Sequence, residues 1–241
     1  MIQIHPIRGL FGFSYLVTET RDTATRAILI DACPGCTPRK LSALFGKLGI
    51  RPGDLCAIQL THAHFDHCVN AAAIQRWSGA PVHCPAADKP WLIESAHYRG
   101  LNKIGGALET IGRFLWRYKP PANVHYFTAC QNSKPLPHFE TIQNLALPGH
   151  TPGHTGYYIL STNTLIAGDL FAELGMFTQT PPRIFTDDRR EALRSITKAA
   201  SLNPSEVYIC HTTRTNAMRR AETLHALSRR AGTVHHAQKC G

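Results

Sequence analysis

Along most of this chain, apolar residues either alternate with polar ones or gather in blocks of four to six. "FSYLVT" (13–18), "RAILID" (26–31) and "CAIQL" (56–60) have the length and β-branched content of strands. Between the second and third, "TPRKLSALFGKLG" sets Leu41, Leu44, Phe45 and Leu48 on one helical face. Thr37 followed by Pro38 supplies a start to that helix, and Gly49 a stop. Residues 68–78 predict a helix, "APVHC" a strand, and 104–119 a helix on which Ile104, Leu108, Ile111 and Leu115 align.

The second half repeats the mixture. "TIQNLAL" (141–147), "GYYILS" (156–161), "TLIAG" (164–168) and "EVYIC" (206–210) predict strands. Thr186 is expected to cap a helix through "TDDRREALRSITKAASL", with acids in its first turn, and a basic helix is expected over 216–230. The strands follow one another too closely for an uninterrupted parallel βαβ array, so packed sheets with helices outside are expected. Neither an internal repeat nor a low-complexity linker divides the chain, and one domain over 1–241 is the expected count.

Composition adds limits. A hydrophobic content of 43% with 17% charged residues is that of a cored globular protein. No segment approaches the roughly 18 apolar residues of a membrane span. The first 17 residues lack the basic region, apolar block and cleavage site of a secretory signal. A cytoplasmic location and no membrane partner are therefore expected. The formal net charge of +10 is concentrated towards the C-terminus. With no nucleic-acid-binding module to accompany it, that charge reads as solvated helix surface, and a nucleic-acid partner is not expected.

Eight cysteines, several inside apolar runs, read as reduced, buried thiols. Cys33 and Cys36 in "DACPGCTP" have redox-motif spacing without the βαβ context such a site requires, so a structural turn is expected there. Cys210 is expected to be buried away from its neighbour His211, because adjacent strand positions point to opposite faces.

The chemistry lies where the strands end. "CAIQL" runs into "THAHFDH", "NLAL" into "PGHTPGHT", "TLIAG" into Asp169, and "EVYIC" into His211. Four strands thus deliver histidine or aspartate at their C-terminal ends, where a rigid sheet can gather ligands from distant positions. Imidazole and carboxylate are the usual donors for zinc and related ions, and seven of them suit a pair of metal ions. From spacing alone, His150 and His154 are equal candidates for the histidine supplied by "GHTPGH".

This series of motifs resembles the metallo-β-lactamase superfamily, in particular its glyoxalase II-like and lactonase-like hydrolases. The resemblance implies an α/β (α+β) fold, a four-layer αβ/βα sandwich with a metal site along one edge. It implies His62, His64 and His150 on a first ion, Asp66, His67 and His211 on a second, and Asp169 bridging. His154 becomes an outer contact or a loop histidine. Two divalent ions are expected, with zinc foremost and iron or manganese also suited to the donors. The implied reaction is hydrolysis of an activated acyl bond, a thioester, lactone or labile ester, by a metal-bridging hydroxide that Asp66 helps to orient.

Departures and alternatives narrow the substrate. The lactamase class with a cysteine among the second-site ligands is disfavoured, since the resemblance puts Asp169 at the bridging position and His67 completes the first motif. Glutathione specificity is weakened because the chain ends about 30 residues after His211, short of the helical extension of glyoxalase II enzymes. A class B3-like β-lactam hydrolase is one alternative; a phosphodiesterase or nuclease and an iron-dependent oxygen-handling protein on the same scaffold are others. The substrate is expected to be a small molecule. The segment 86–122, with Trp91, Tyr98, Phe114, Trp116 and Tyr118, is expected to line one wall of the pocket, Trp116 and Tyr118 foremost. Arg214, in preference to Arg183, is expected to grip a substrate carboxylate.

Overall fold

The computed structural model describes residues 1–94, 103–129, 135–136, 139–174, 177–213 and 216–237. They form two compact units, Met1–Thr128 and Ala129–Gly241.

The first unit is built on a six-stranded sheet of β1 (Ile2–Arg8), β2 (Phe13–Arg21), β3 (Ala24–Ile30), β4 (Leu55–Gln59), β5 (Val82–Pro85) and β6 (Val124–Phe127), ordered in space as in sequence. β1 to β3 form an antiparallel meander, whereas β3 to β6 run parallel. The parallel part needs crossovers, and helices supply them. α1 (Pro38–Leu48) starts where the sequence predicts: the Thr37 side chain accepts from the Lys40 amide, Pro38 opens the helix, and Gly49 closes it at φ 68°. Short α2 (Phe65–Cys68) precedes α3 (Ala71–Ser78), so the helix predicted over 68–78 begins at Ala71. Leu41 and Phe45 of α1 and Ile74 of α3 close a core with Leu16, Leu29, Ile58 and Val82, each such side chain contributing about 1.5–3 kcal/mol of burial.

Between β5 and β6 lie α4 (Lys89–Ile93) and α5 (Lys103–Leu115). α5 reverses the usual arrangement. The stripe aligned by the sequence, Ile104, Leu108, Ile111 and Leu115, faces out and is 51–64% exposed, while Gly105, Glu109 and Arg113 face in.

The second unit carries a five-stranded sheet. Its strands are β7 (Pro135–Leu136), β8 (Phe139–Ala146), β9 (Thr155–Ile159), β10 (Thr164–Ile166) and, later in the chain, β13 (Glu206–Tyr208), ordered β13-β10-β9-β8-β7. β10 and β13 are parallel and the others antiparallel. β11 (Ala172–Leu174) and β12 (Phe177–Gln179) form a separate hairpin. α6 (Arg189–Ser201) and α7 (Ala217–Ala237) cover the sheet, with Ile196, Ala199, Leu224 and Leu227 against Leu145, Leu165 and Val207. The α6 cap is Asp188, whose carboxylate accepts from the Glu191 amide. It is not Thr186, whose hydroxyl donates instead to the Pro182 carbonyl. Among the described residues, no helix is long and apolar enough to cross a membrane.

Candidate metal centre

In the first unit, the chain leaves β4 and brings His62, His64, Asp66 and His67 together along an irregular stretch that runs into α2. The ring centroids of His62 and His64 are 4.7 Å apart and those of His62 and His67 4.0 Å; His67 Nε2 lies 3.9 Å from Asp66 Oδ2. His62, His64 and His67 are buried, whereas the Asp66 side chain keeps 28% of its exposure.

Asp31, just past the end of β3, orients this group. Its Oδ1 accepts the Thr61 amide at 2.8 Å, and its Oδ2 accepts both the Thr61 hydroxyl and His67 Nδ1–H at 2.8 Å. Since the Thr61 proton points to Asp31, Thr61 Oγ1 accepts from His62 Nδ1–H at 3.0 Å. Both imidazoles are thereby set as Nδ1–H tautomers with Nε2 as the basic nitrogen, a form in which a histidine can bind a metal. Asp31 holds φ 59°, a backbone strain of the kind found at functional sites.

Three side chains grip the backbone between the histidines. Asp88 Oδ2 accepts the Ala63 amide at 3.2 Å, Glu109 Oε1 accepts the Phe65 amide at 3.0 Å, and Arg113 donates to the Ala63 carbonyl at 3.4 Å. Glu109 and Arg113 pair at 3.0 Å one turn apart on α5, and Arg113 also donates to the Trp91 carbonyl. α5 can approach because Gly112 meets the Phe65 ring: a Cβ there would sit 2.9 Å from it.

In the second unit, His150 and His211 each face Asp169, with Nε2 3.5 Å and 3.2 Å from its Oδ2. The His150 loop is held by the start of α6, where the Asp187 and Asp188 amides donate to the carbonyls of His150 and Gly149. Gly149 is required here. It has φ 128°, and a Cβ would fall 2.1 Å from the Ala192 nitrogen. His154 differs from His150: its Nδ1 donates to the Leu147 carbonyl at 2.9 Å and its Nε2 accepts the Asp169 amide at 3.0 Å. Both ring nitrogens serve the fold, so His154 positions Asp169. The loop of His211 is fixed by buried Glu173, whose amide donates to the His211 carbonyl and whose carboxylate faces Arg220 at 3.9 Å.

Cys210 does not point away. Its sulfur and the ligand atoms of Asp169 and His211 lie within 4.8 Å of one another. Strand alternation does not extend to Cys210, because β13 ends at Tyr208 and the chain bends at Cys210. Cys33 and Cys36 form the expected turn: the Cys36 amide donates to the Cys33 carbonyl, and Asn70 Nδ2 donates to the same oxygen. Burial pushes the Cys36 thiol up to about 12, which suits a structural thiol rather than a redox one.

Among the residues expected at the substrate, Tyr118 donates its hydroxyl to the Leu92 carbonyl, and its ring lies 4.5 Å from the Arg113 guanidinium carbon. Trp116 is 40% exposed and meets Phe11 and Phe65 edge-on at 5.9 and 5.5 Å. Arg183 is exposed. Arg214 and Tyr98 lie outside the described residues.

The order of these motifs matches a family model, that of the metallo-beta-lactamase superfamily, over residues 7–211. The chain belongs to the metallo-beta-lactamase superfamily. Its similarity to a probable metallo-hydrolase, YflN, of Bacillus subtilis (strain 168) is 27% identity over 200 residues, which covers 76% of this chain and 74% of that one. A hydroxyacylglutathione hydrolase of Pseudomonas entomophila (strain L48) is 27% identical over 213 residues; the match spans 88% of this chain but only 66% of that hydrolase. Among solved structures, TTHA1623 in a di-iron-bound form matches with a TM-score of 0.63 at 28% identity, covering 88% of this chain and 93% of that one. The fold is the metallo-beta-lactamase fold, an α/β class with helices on its sheets, as the motifs implied.

Asp31, Asp88, Glu109–Arg113 and Glu173–Arg220 are residues that the sequence reading did not single out. Asp31 alone carried a signal, since it too stands at a strand end.

Proposed function

We propose that this superfamily member is a dinuclear-metal-dependent hydrolase of activated acyl bonds, with thioesters, lactones and labile esters as its substrate class. The observation that carries the reading is the Asp31–Thr61 arrangement, which commits the Nδ1 protons of His62 and His67 and aligns two basic Nε2 atoms among buried imidazoles. Histidine nitrogens beside carboxylates form a donor set suited to divalent ions, zinc foremost, with iron and manganese compatible. On this reading His62, His64, Asp66, His67, His150, Asp169 and His211 are the residues that would hold the two ions.

Bound ions supply Lewis acidity, acidifying water and polarising an acyl carbonyl. The side chains do the positioning. Asp66 is the partly exposed carboxylate of the set, and we assign it to hold the proton of the attacking water and so orient it. His154 holds Asp169 through its amide, and Asp31 holds the rings of His62 and His67. The similarity to YflN, a probable metallo-hydrolase, supports hydrolysis, and that to a hydroxyacylglutathione hydrolase supports a small-molecule substrate.

The test is elemental analysis of the purified protein, followed by a panel of a glutathione thioester, an acyl-homoserine lactone, nitrocefin and bis-p-nitrophenyl phosphate, with zinc, iron or manganese loaded. Expected is metal-dependent turnover of the thioester or lactone, lost in His64→Ala and Asp169→Ala. Turnover of nitrocefin or of the phosphodiester alone assigns a different substrate class, and protein that holds no transition ion under any loading ends the reading.

A further inference from the structure

An apolar helix face turned outward calls for an occupant. On α5, Ile104, Leu108, Ile111 and Leu115 recur at the spacing that lines one side of a helix, and they are 58%, 51%, 53% and 64% exposed. Phe114 beside them is 82% exposed. The surface continues through Trp116 to Phe11, in edge contact with it, and to Leu10 at 66% exposure. Leu10 and Phe11 sit at the tip of the β1–β2 turn, where the Gly9 amide donates to the Gly12 carbonyl and the Leu10 amide to Pro34. Scattered exposed apolar residues are ordinary on a protein surface; a contiguous stripe of this size marks an interaction surface.

Charge selects the occupant. Residues 103–119 contain one acid, Glu109, which is turned inward against Arg113. The outward charges are Lys103 at one end of the stripe and Arg117 and Lys119 at the other, all positive and exposed. Pairing with a second copy about a twofold axis, parallel or antiparallel, would set cation against cation at both ends. An anionic lipid surface meets both features, taking the apolar stripe to the depth of its headgroup boundary and the three cations among its phosphates. We infer that the outer face of α5, with the Leu10–Phe11 tip and Trp116, docks this protein on anionic lipid surfaces. Contact of this kind needs no membrane-crossing helix. The inner face of the same helix grips the backbone of the histidine motif through Glu109 and Arg113, so a docked molecule holds that motif close to the lipid.

The experiment is co-sedimentation of the full chain with vesicles of phosphatidylglycerol or of phosphatidylcholine, with its oligomeric state followed by analytical ultracentrifugation. Three cations make binding to phosphatidylglycerol about a hundredfold tighter than to phosphatidylcholine. Leu108→Glu with Ile111→Glu, an exposed pair whose folding circular dichroism checks, should abolish binding to both. Lys103→Glu with Lys119→Glu should remove the preference for phosphatidylglycerol. Failure to sediment with vesicles, equal sedimentation of the Leu108/Ile111 variant, or a dimer that this variant dissociates would each overturn the inference, the last by assigning the face to self-association.

Discussion

Asp31 Oδ2 lies 2.8 Å from His67 Nδ1, and the same oxygen takes the Thr61 hydroxyl that in turn holds His62. One buried acid therefore sets the tautomer of two imidazoles from outside the proposed donor set. Groups in that position raise ligand basicity and fix ring orientation. Asp31→Ala is expected to weaken zinc binding by about 10–100-fold, read by competition with a chromogenic chelator. Asp31→Asn keeps one acceptor oxygen and should lose less. Unchanged affinity in Asp31→Ala would mean the two rings are aligned by something else.

Glu109 and Arg113 are paired and buried beneath an exposed apolar stripe. Removing Glu109 alone strands a buried guanidinium and deprives the Phe65 amide of its acceptor, so Glu109→Ala should cost about 3–5 kcal/mol. The double change Glu109→Met with Arg113→Met removes both charges and should cost less than the single one. Urea unfolding of the three proteins decides it; a double variant no more stable than Glu109→Ala would show that the lost backbone contacts, and not the stranded charge, dominate.

This helix also marks the limit of what the sequence disclosed. Periodicity located α5 and identified Ile104, Leu108, Ile111 and Leu115 as one face, but periodicity does not say whether an apolar face turns in or out. Here the Glu109–Arg113 pair satisfies the polar face inside. α1 was fully legible because Thr37, Pro38 and Gly49 each carry their own local chemistry. For α6, Thr186 and Asp188 are equally good caps by residue type, and the Pro181 and Pro182 carbonyls, which occupy the Thr186 hydroxyl, decide between them. In the candidate site, strand-end histidines and aspartates stood out because donors crowd there. The residues that hold them, Asp88, Glu109 and Glu173, come from other elements and have no spacing that links them to a motif. His150 and His154 were inseparable by sequence for a related reason: which ring is spent on backbone groups depends on where Leu147 and Asp169 arrive.

His83 and His125 face one another across parallel neighbours β5 and β6, with ring centroids 5.1 Å apart. Burial, and next the charge of His125, hold His83 below its ordinary value of 6.5. The unfolded chain then binds a proton that the folded one resists, so stability is full above pH 6.5 and falls as the pH drops below it. His5, lowered by burial, acts in the same sense. His83→Gln should flatten this dependence, its stability relative to the parent rising as the medium is acidified. Urea midpoints of both proteins between about pH 7.5 and 5.5 test it, and parallel curves would remove His83 as the cause.

His154 gives Nδ1–H to the Leu147 carbonyl and takes the Asp169 amide on Nε2, so its ring has no nitrogen to offer an ion without surrendering that amide. His150 instead faces the Asp169 carboxylate with Nε2 at 3.5 Å. The two neighbours should therefore fail differently. His150→Ala is expected to lose metal, whereas His154→Ala should keep most of it and lose stability by about 1–3 kcal/mol for each buried group left without its partner. Elemental analysis after gel filtration, paired with thermal unfolding of the metal-free proteins, separates the outcomes. If His154→Ala strips the metal while leaving the fold as stable as the parent, the third histidine of the set is His154, and the role of the Asp169 amide has been misread.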